Sequence, residues 1–134
     1  MSTKINDLAN NAQLFAGNTA PSQAVITNVT GAAINLIAVE NNCFAIQNVG
    51  TVAGATFGWA GKIQESPTTT GASFTDIAGA TFAALTSTTG ANIIQVINFV
   101  RTQQFVRFLG TISGSASSVA LDVLVGGQLV QVPV

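Results

Sequence analysis

The chain has 134 residues, a formal net charge of −1 and 7% charged side chains, against roughly 25% in an ordinary soluble domain. That length is about one domain, long enough to bury a core without a metal or disulfide staple. With no His and one Cys, a His-activated nucleophile and an intrachain disulfide are both excluded.

No charged residue lies between Asp7 and Glu40, or between Asp76 and Arg101. The apolar residues still come in short runs, well below the roughly 18 of a membrane-spanning helix. Charge keeps free monomers apart from their copies. A chain with so little of it is suited to burying its surface in an assembly. Lys62, Arg101 and Arg107 are scattered, so no nucleic-acid or anionic-membrane contact is expected.

Residues 1–12 are polar and read as a short N-terminal arm, and 13–134 as a single β domain. Met1–Asn10 has no signal-peptide hydrophobic region, and the single cysteine is consistent with a cytoplasmic redox compartment. From Gln13 the pattern is β: short Val, Ile, Phe and Thr runs between Gly, Pro, Asn and Ser clusters. The predicted strands are Ala24–Asn28, Ala33–Glu40, Cys43–Val49, Phe57–Glu65, Phe74–Ile77, Ile93–Phe99, Phe105–Ser113, Val119–Val125 and Leu129–Val132. Glu40-Asn41-Asn42-Cys43 reads as a tight reversal. Pro67–Gly71 reads as a hairpin loop, Ile77–Leu85 as a loop or irregular strand, and Ser113–Ser118 as an exposed loop. Gly126-Gly127 reads as a two-residue hairpin turn, since both glycines can take positive φ. Val52-Ala53-Gly54-Ala55-Thr56-Phe57 is echoed by Ile77-Ala78-Gly79-Ala80-Thr81-Phe82, two copies where a repeat fold needs three or more. So many strands with short links need a second layer. The expected fold is all-β, a β-sandwich of jelly-roll or Ig-like type.

Catalytic chemistry is thin. Glu65 and Asp76 flank the Pro67–Gly71 loop, and hairpin pairing could oppose them as a glycosidase pair. Two solvated strand-end carboxylates are the favoured reading. They make a weak cation site without a denser oxygen shell. Gly61-Lys62 fails as a phosphate loop, because Thr56 and Ile63 stand where Gly and Ser/Thr belong. Trp59 reads as a strand or interface anchor rather than a ligand platform. Cys43 reads as a small buried hydrophobe. No catalytic residue, cofactor or metal site is expected.

Lys62-Ile63-Gln64-Glu65-Ser66-Pro67 followed by Ser73-Phe74-Thr75-Asp76-Ile77, and Arg101–Gly114 with its Arg101 and Phe105-Val106-Arg107 strand, together resemble small virion structural proteins of tailed bacteriophages. The resemblance covers about the second half of the chain. It implies a β-rich, capsid-associated protein of head decoration (cement) type and no catalytic residues. The same strand, loop and Phe-Thr-Asp order is similar to discoidin-like carbohydrate- or lipid-binding sandwiches.

The expected function is therefore a non-enzymatic virion protein that coats or cements a phage capsid. Its partners would be the major capsid protein or copies of itself, as a homo-oligomer. The alternative is a carbohydrate-binding or adhesion sandwich of a phage tail. The interface residues expected are the apolar tail Leu129, Val130, Val132 and Val134, with the N-terminal arm.

Overall fold

Period-two burial organises most of the chain into strands with one face inward. In the computed structural model, which describes residues 14–130, these are β1 Leu14–Val25, β2 Val29–Thr30, β3 Ile34–Asn35, β4 Val39–Ala53, β5 Gly58–Ser66, β6 Thr75–Thr81, β7 Leu85–Thr86, β8 Ile93–Val100, β9 Phe105–Ser113 and β10 Ser118–Leu129. The one helical element among them is a 3-10 turn at Gly71–Ser73.

All pairings are antiparallel and form two sheets. One runs β1-β10-β4-β8; the other runs β2-β9-β5-β6, with β3 also on β9 and β7 also on β5. Taken as interrupted strands, β2 with β3 and β6 with β7 give four positions per sheet. The chain crosses between sheets at each step from one position to the next except the hairpin from β5 to β6. This is a jelly roll, the first of the two sandwich types expected. Ig-like order is excluded by the β1-β10-β4-β8 sequence of neighbours.

The inner faces meet in one core. β10 contributes Val119, Leu121, Val123 and Val125; β4 contributes Cys43, Ala45 and Val49; β5 and β9 contribute Trp59, Ile63, Val106 and Phe108. Each large apolar side chain fully buried here contributes about 1.5–3 kcal/mol. Trp59 stacks on Phe108 with centroids 6.1 Å apart, and Phe82 meets Phe108 edge-on at 6.3 Å. Gly61 and Gly110 pair directly across β5 and β9. A Cβ at Gly61 would lie 2.7 Å from Gln47 Oε1 and from Phe108 Cε2, and one at Gly110 would strike the Trp59 ring. The two glycines thus leave the slot these rings fill.

A polar relay crosses this core. Trp59 Nε1 donates to Gln47 Oε1 at 2.8 Å, Gln47 Nε2 donates to Gln95 Oε1 at 2.6 Å, and Gln95 Nε2 donates to the Ala83 carbonyl at 2.9 Å. Gln47 is completely buried, so the relay satisfies groups that water cannot reach.

Two expected turns are strand instead. Glu40–Cys43 lies inside β4; the reversal falls just before it, where Val39 N donates to the Leu36 carbonyl at 2.9 Å. The Asn pair suggested a turn, but its side chains are exposed on a continuing strand. Gly126-Gly127 lies inside β10, which runs on past the predicted Val119–Val125 strand as far as Leu129. Gly127 serves close packing rather than a turn: its Cβ would sit 2.9 Å from Val39 Cγ1 and 3.0 Å from the Asn42 carbonyl. β1 is longer and earlier than the predicted Ala24–Asn28, because register shifts after Asn18 and Ala20 carry it past residues that look like breakers. The expected arm, residues 1–12, lies outside the described residues.

Other readings hold. β9 spans Phe105–Ser113 as expected, and Pro67–Gly71 links β5 to β6. The internal echo has a local meaning. Gly54 and Gly79 both take positive φ, at 110° and 79°, and Phe57 and Phe82 are both buried.

Replacing Gln47 by Leu should strand the buried Trp59 N–H, at a cost of about 1–3 kcal/mol. Urea unfolding followed by Trp59 fluorescence measures this. Gln95→Leu, at a half-buried position, should cost less.

Candidate functional site

The two expected carboxylates do not converge. Gln64 and Glu65 are consecutive on β5, so their side chains point to opposite faces. Gln64 pairs with Asp76 across the hairpin, and Glu65 with Thr75. Asp76 is exposed on the outer face. Its Oδ2 takes a 2.7 Å ion pair from Lys62 Nζ, and its Oδ1 accepts from Gln64 Nε2 at 2.7 Å. The Lys62 bond, then the Gln64 bond, holds the Asp76 carboxyl below its ordinary pKa. The stability this gives is present above the ordinary carboxylate pKa and fades as pH falls through the lowered one. It is small, because both partners are exposed. Arg107 completes the cluster: Nε and Nη2 donate to Gln64 Oε1 at 3.0 and 2.9 Å, and its guanidinium lies 4.2 Å over the Phe74 ring.

Glu65 is not a solvated strand end. It is 9% exposed and accepts from Thr102 N at 2.7 Å, Thr102 Oγ1 at 2.7 Å and Gln103 N at 3.2 Å. It ties β5 to the link between β8 and β9. Sequence reading missed this role because its partners lie 37 residues away. Arg101, also buried, works at the same end. Its Nη1 donates to the Gln103 carbonyl at 2.9 Å, its Nη2 donates to the Val39 carbonyl, and its backbone N donates to the Asn41 carbonyl at 2.9 Å. These two charged groups act as structural ties.

Trp59 is 2% exposed and offers no platform to a sugar. Cys43 is buried, its Sγ donating to the Glu40 carbonyl at 3.3 Å. Burial pushes the thiol pKa up, and nearby Arg101 opposes this in part. Gly61 faces the core beside Gln47 and Phe108, so Gly61-Lys62 forms no phosphate cradle. A hollow of about 360 Å³ on the β1-β10-β4-β8 sheet is lined by Asn42, Phe44, Asn98 and Val100, among others. Its wall is amide and apolar.

The outer surfaces of the two sheets differ. The sheet containing β5 and β9 carries Lys62, Asp76 and Arg107. On the other sheet, β4–β8 pairing sets Ile94 opposite Asn48, Val96 opposite Ile46, Asn98 opposite Phe44 and Val100 opposite Asn42. Leu124 and Asp122 of β10 continue the rows behind Ile46 and Asn48. Ile94, Val96 and Val100 are 65%, 59% and 58% exposed. Asp122 accepts from Asn18 Nδ2 at 2.9 Å, and Glu40 stands at the start of β4. Of the expected interface tail, Leu129 ends β10 and packs half-buried on the core. Val130 is exposed, its N–H donating to the Ala38 carbonyl at 2.8 Å. Val132 and Val134 lie outside the described residues.

Glu65→Ala should leave the Thr102 and Gln103 amides without their carboxylate, costing about 1–3 kcal/mol. Thermal or urea unfolding reads the loss, and hydrogen exchange at Thr102 and Gln103 should quicken.

No family model matches the chain, and no curated protein matches it. Among solved structures, a chain of the structure of infectious bursal disease virus Gx strain is similar in fold, with a TM-score of 0.53 and 13% sequence identity. The match takes in 90% of this chain and 33% of that one, so this chain spans about a third of its neighbour's length. The likeness is one of fold: two antiparallel sheets packed face to face, as in a chain from a virus.

Proposed function

We propose that this chain is a structural subunit of a virion, non-enzymatic, that holds its place in the coat by contacts with copies of itself or with a major capsid protein. Within that reading it is a head decoration or cement protein of a tailed bacteriophage, as the resemblance of Lys62–Pro67 and Arg101–Gly114 suggests. The observation that carries the reading is a jelly roll in which one outer sheet face, apart from Glu40 and Asp122, is apolar and amide, with no charge along β8. A free protein gains solubility from surface charge. A coat subunit gains more from apolar and amide surface that it covers. The fold shared with a chain of a virus structure agrees with this, as does the use of Trp59, Glu65 and Arg101 in holding the sandwich together.

Apolar burial contributes about 25 cal/mol per Å². A standard interface of about 1,600 Å² therefore has ample gross driving force to offset the cost of association. The exposed apolar positions of β8 and the tail residue Val130 are the natural contributors.

Purified particles from the host that produces this protein should contain it in many copies per particle, seen by quantitative mass spectrometry. Its absence from particles would overturn the reading. Removing residues 130–134 should leave the melting temperature within a few degrees of the full chain and weaken retention on particles. Removing residues 128–134 should also destabilise the fold, because Leu129 packs on the core.

A further inference from the structure

Open sheet edges are a hazard that folds guard against with Pro, bulges, charges or short strands. Among the described residues, three of the four sheet edges are guarded. β1 contains Pro21, which has no N–H to offer, and its register shifts twice, between Asn18 and Ala20 and between Ala20 and Gln23. The edge along β9 is broken into β2 and β3, two residues each. The edge along β5 is broken into β6 and the two-residue β7, with a register shift between Lys62 and Gln64.

The fourth edge, β8, is different. It runs eight residues without a break. Its register with β4 is continuous from Asn42↔Val100 to Val49↔Ile93, and among the described residues β4 is its one strand neighbour in the sheet. Its sequence, Ile-Ile-Gln-Val-Ile-Asn-Phe-Val, has neither charge nor proline. Ile94, Val96 and Val100 stand exposed along it.

We infer that β8 is a contact edge for a second copy of this chain. Two β8 strands pair antiparallel across a two-fold axis and join the two β1-β10-β4-β8 sheets into one. This deepens the coat-subunit reading, and it rests on that reading for its place in a particle. Three features select a second copy as the occupant. A row of strand N–H and C=O groups is matched best by another strand. A two-fold contact sets like residues near one another, so any charge on β8 would face its own kind; β8 has none. The alternation is self-complementary too, because directly opposed residues share a face. A two-fold through Val96 sets Val96 against its copy, and a two-fold through Ile97 sets Ile94 against Val100. Either keeps the exposed apolar row continuous on one side. The contact is isologous and closes at two copies.

An eight-residue edge is about 27 Å long and buries less than a standard interface of about 1,600 Å². The free dimer should therefore dissociate on dilution, and multiple contacts in a shell would strengthen it. The test is light scattering of the purified full chain over a concentration series, with Val96→Lys and Thr111→Lys. Both positions are exposed, so both variants should fold, as circular dichroism and melting will register. Thr111 lies on the outer face of the other sheet and serves as the control. The expected result is a monomer–dimer equilibrium that Val96→Lys weakens at least tenfold and Thr111→Lys leaves unchanged. Amide exchange along β8 should slow as concentration rises. A wild-type chain that is monomeric throughout would overturn the inference, whatever covers β8. So would a dimer that Val96→Lys leaves intact, or one that both variants weaken equally. Presence in particles is a separate measurement: a β8 dimer absent from particles would sink the coat reading alone, and a particle-borne monomer would sink the edge contact alone.

Discussion

A buried indole N–H must find an acceptor, and here the acceptor comes from the opposite sheet. Gln47, on β4, reaches across the sandwich to Trp59 on β5. That bond needs a set spacing and a set register between the layers. The Gly61–Gly110 pair supplies the room, because any side chain at either position would meet the rings or Gln47. Gln95 then takes the other end of the Gln47 amide, which fixes β8 in the same arrangement. Core shape, sheet spacing and the placing of β8 thus follow from one hydrogen-bonded ring.

The few charges divide between structure and solvent. Glu65 and Arg101 hold one end of the sandwich together through backbone amides and carbonyls, while Lys62, Asp76 and Arg107 wet the outer face of one sheet. The other sheet keeps two carboxylates, Glu40 on β4 and Asp122 tied to Asn18, and its edge strand β8 has no charge. The two cations that reach solvent among the described residues, Lys62 and Arg107, thus lie on one sheet, and the uncharged edge lies on the other.

Local pattern made much of the strand content legible. Phe105–Ser113 alternates cleanly and was placed to the residue, and the Pro67–Gly71 and Ser113–Ser118 links carry ordinary turn chemistry. Errors arose where one residue type has two physical uses. Glycine permits positive φ, and it also permits close packing, which is what Gly127 does against Val39. Asn favours turns, yet it also sits well on an exposed strand face, as Asn41 and Asn42 do. The jelly-roll order was beyond local reading, because β1 meets β10 across 104 residues at the Asn18–Asp122 bond. Glu65 was misread as solvated for the same reason: its partners are distant in sequence. Trp59 as an anchor was legible from its isolation and from the shortage of polar recognition residues around it.

The neighbours of β4 also set an order of events during synthesis. β4 lies between β8 and β10, and both are made after it; β10 is the last strand made among those described. Long-range pairings of this kind form slowly. Until β10 emerges, β4 lacks one flank and β1 lacks its one strand neighbour among the described residues, so the sheet that bears β8 is only the β4–β8 pair. For the proposed β8 contact, this topology delays the full four-stranded sheet behind the edge until β10 has been made.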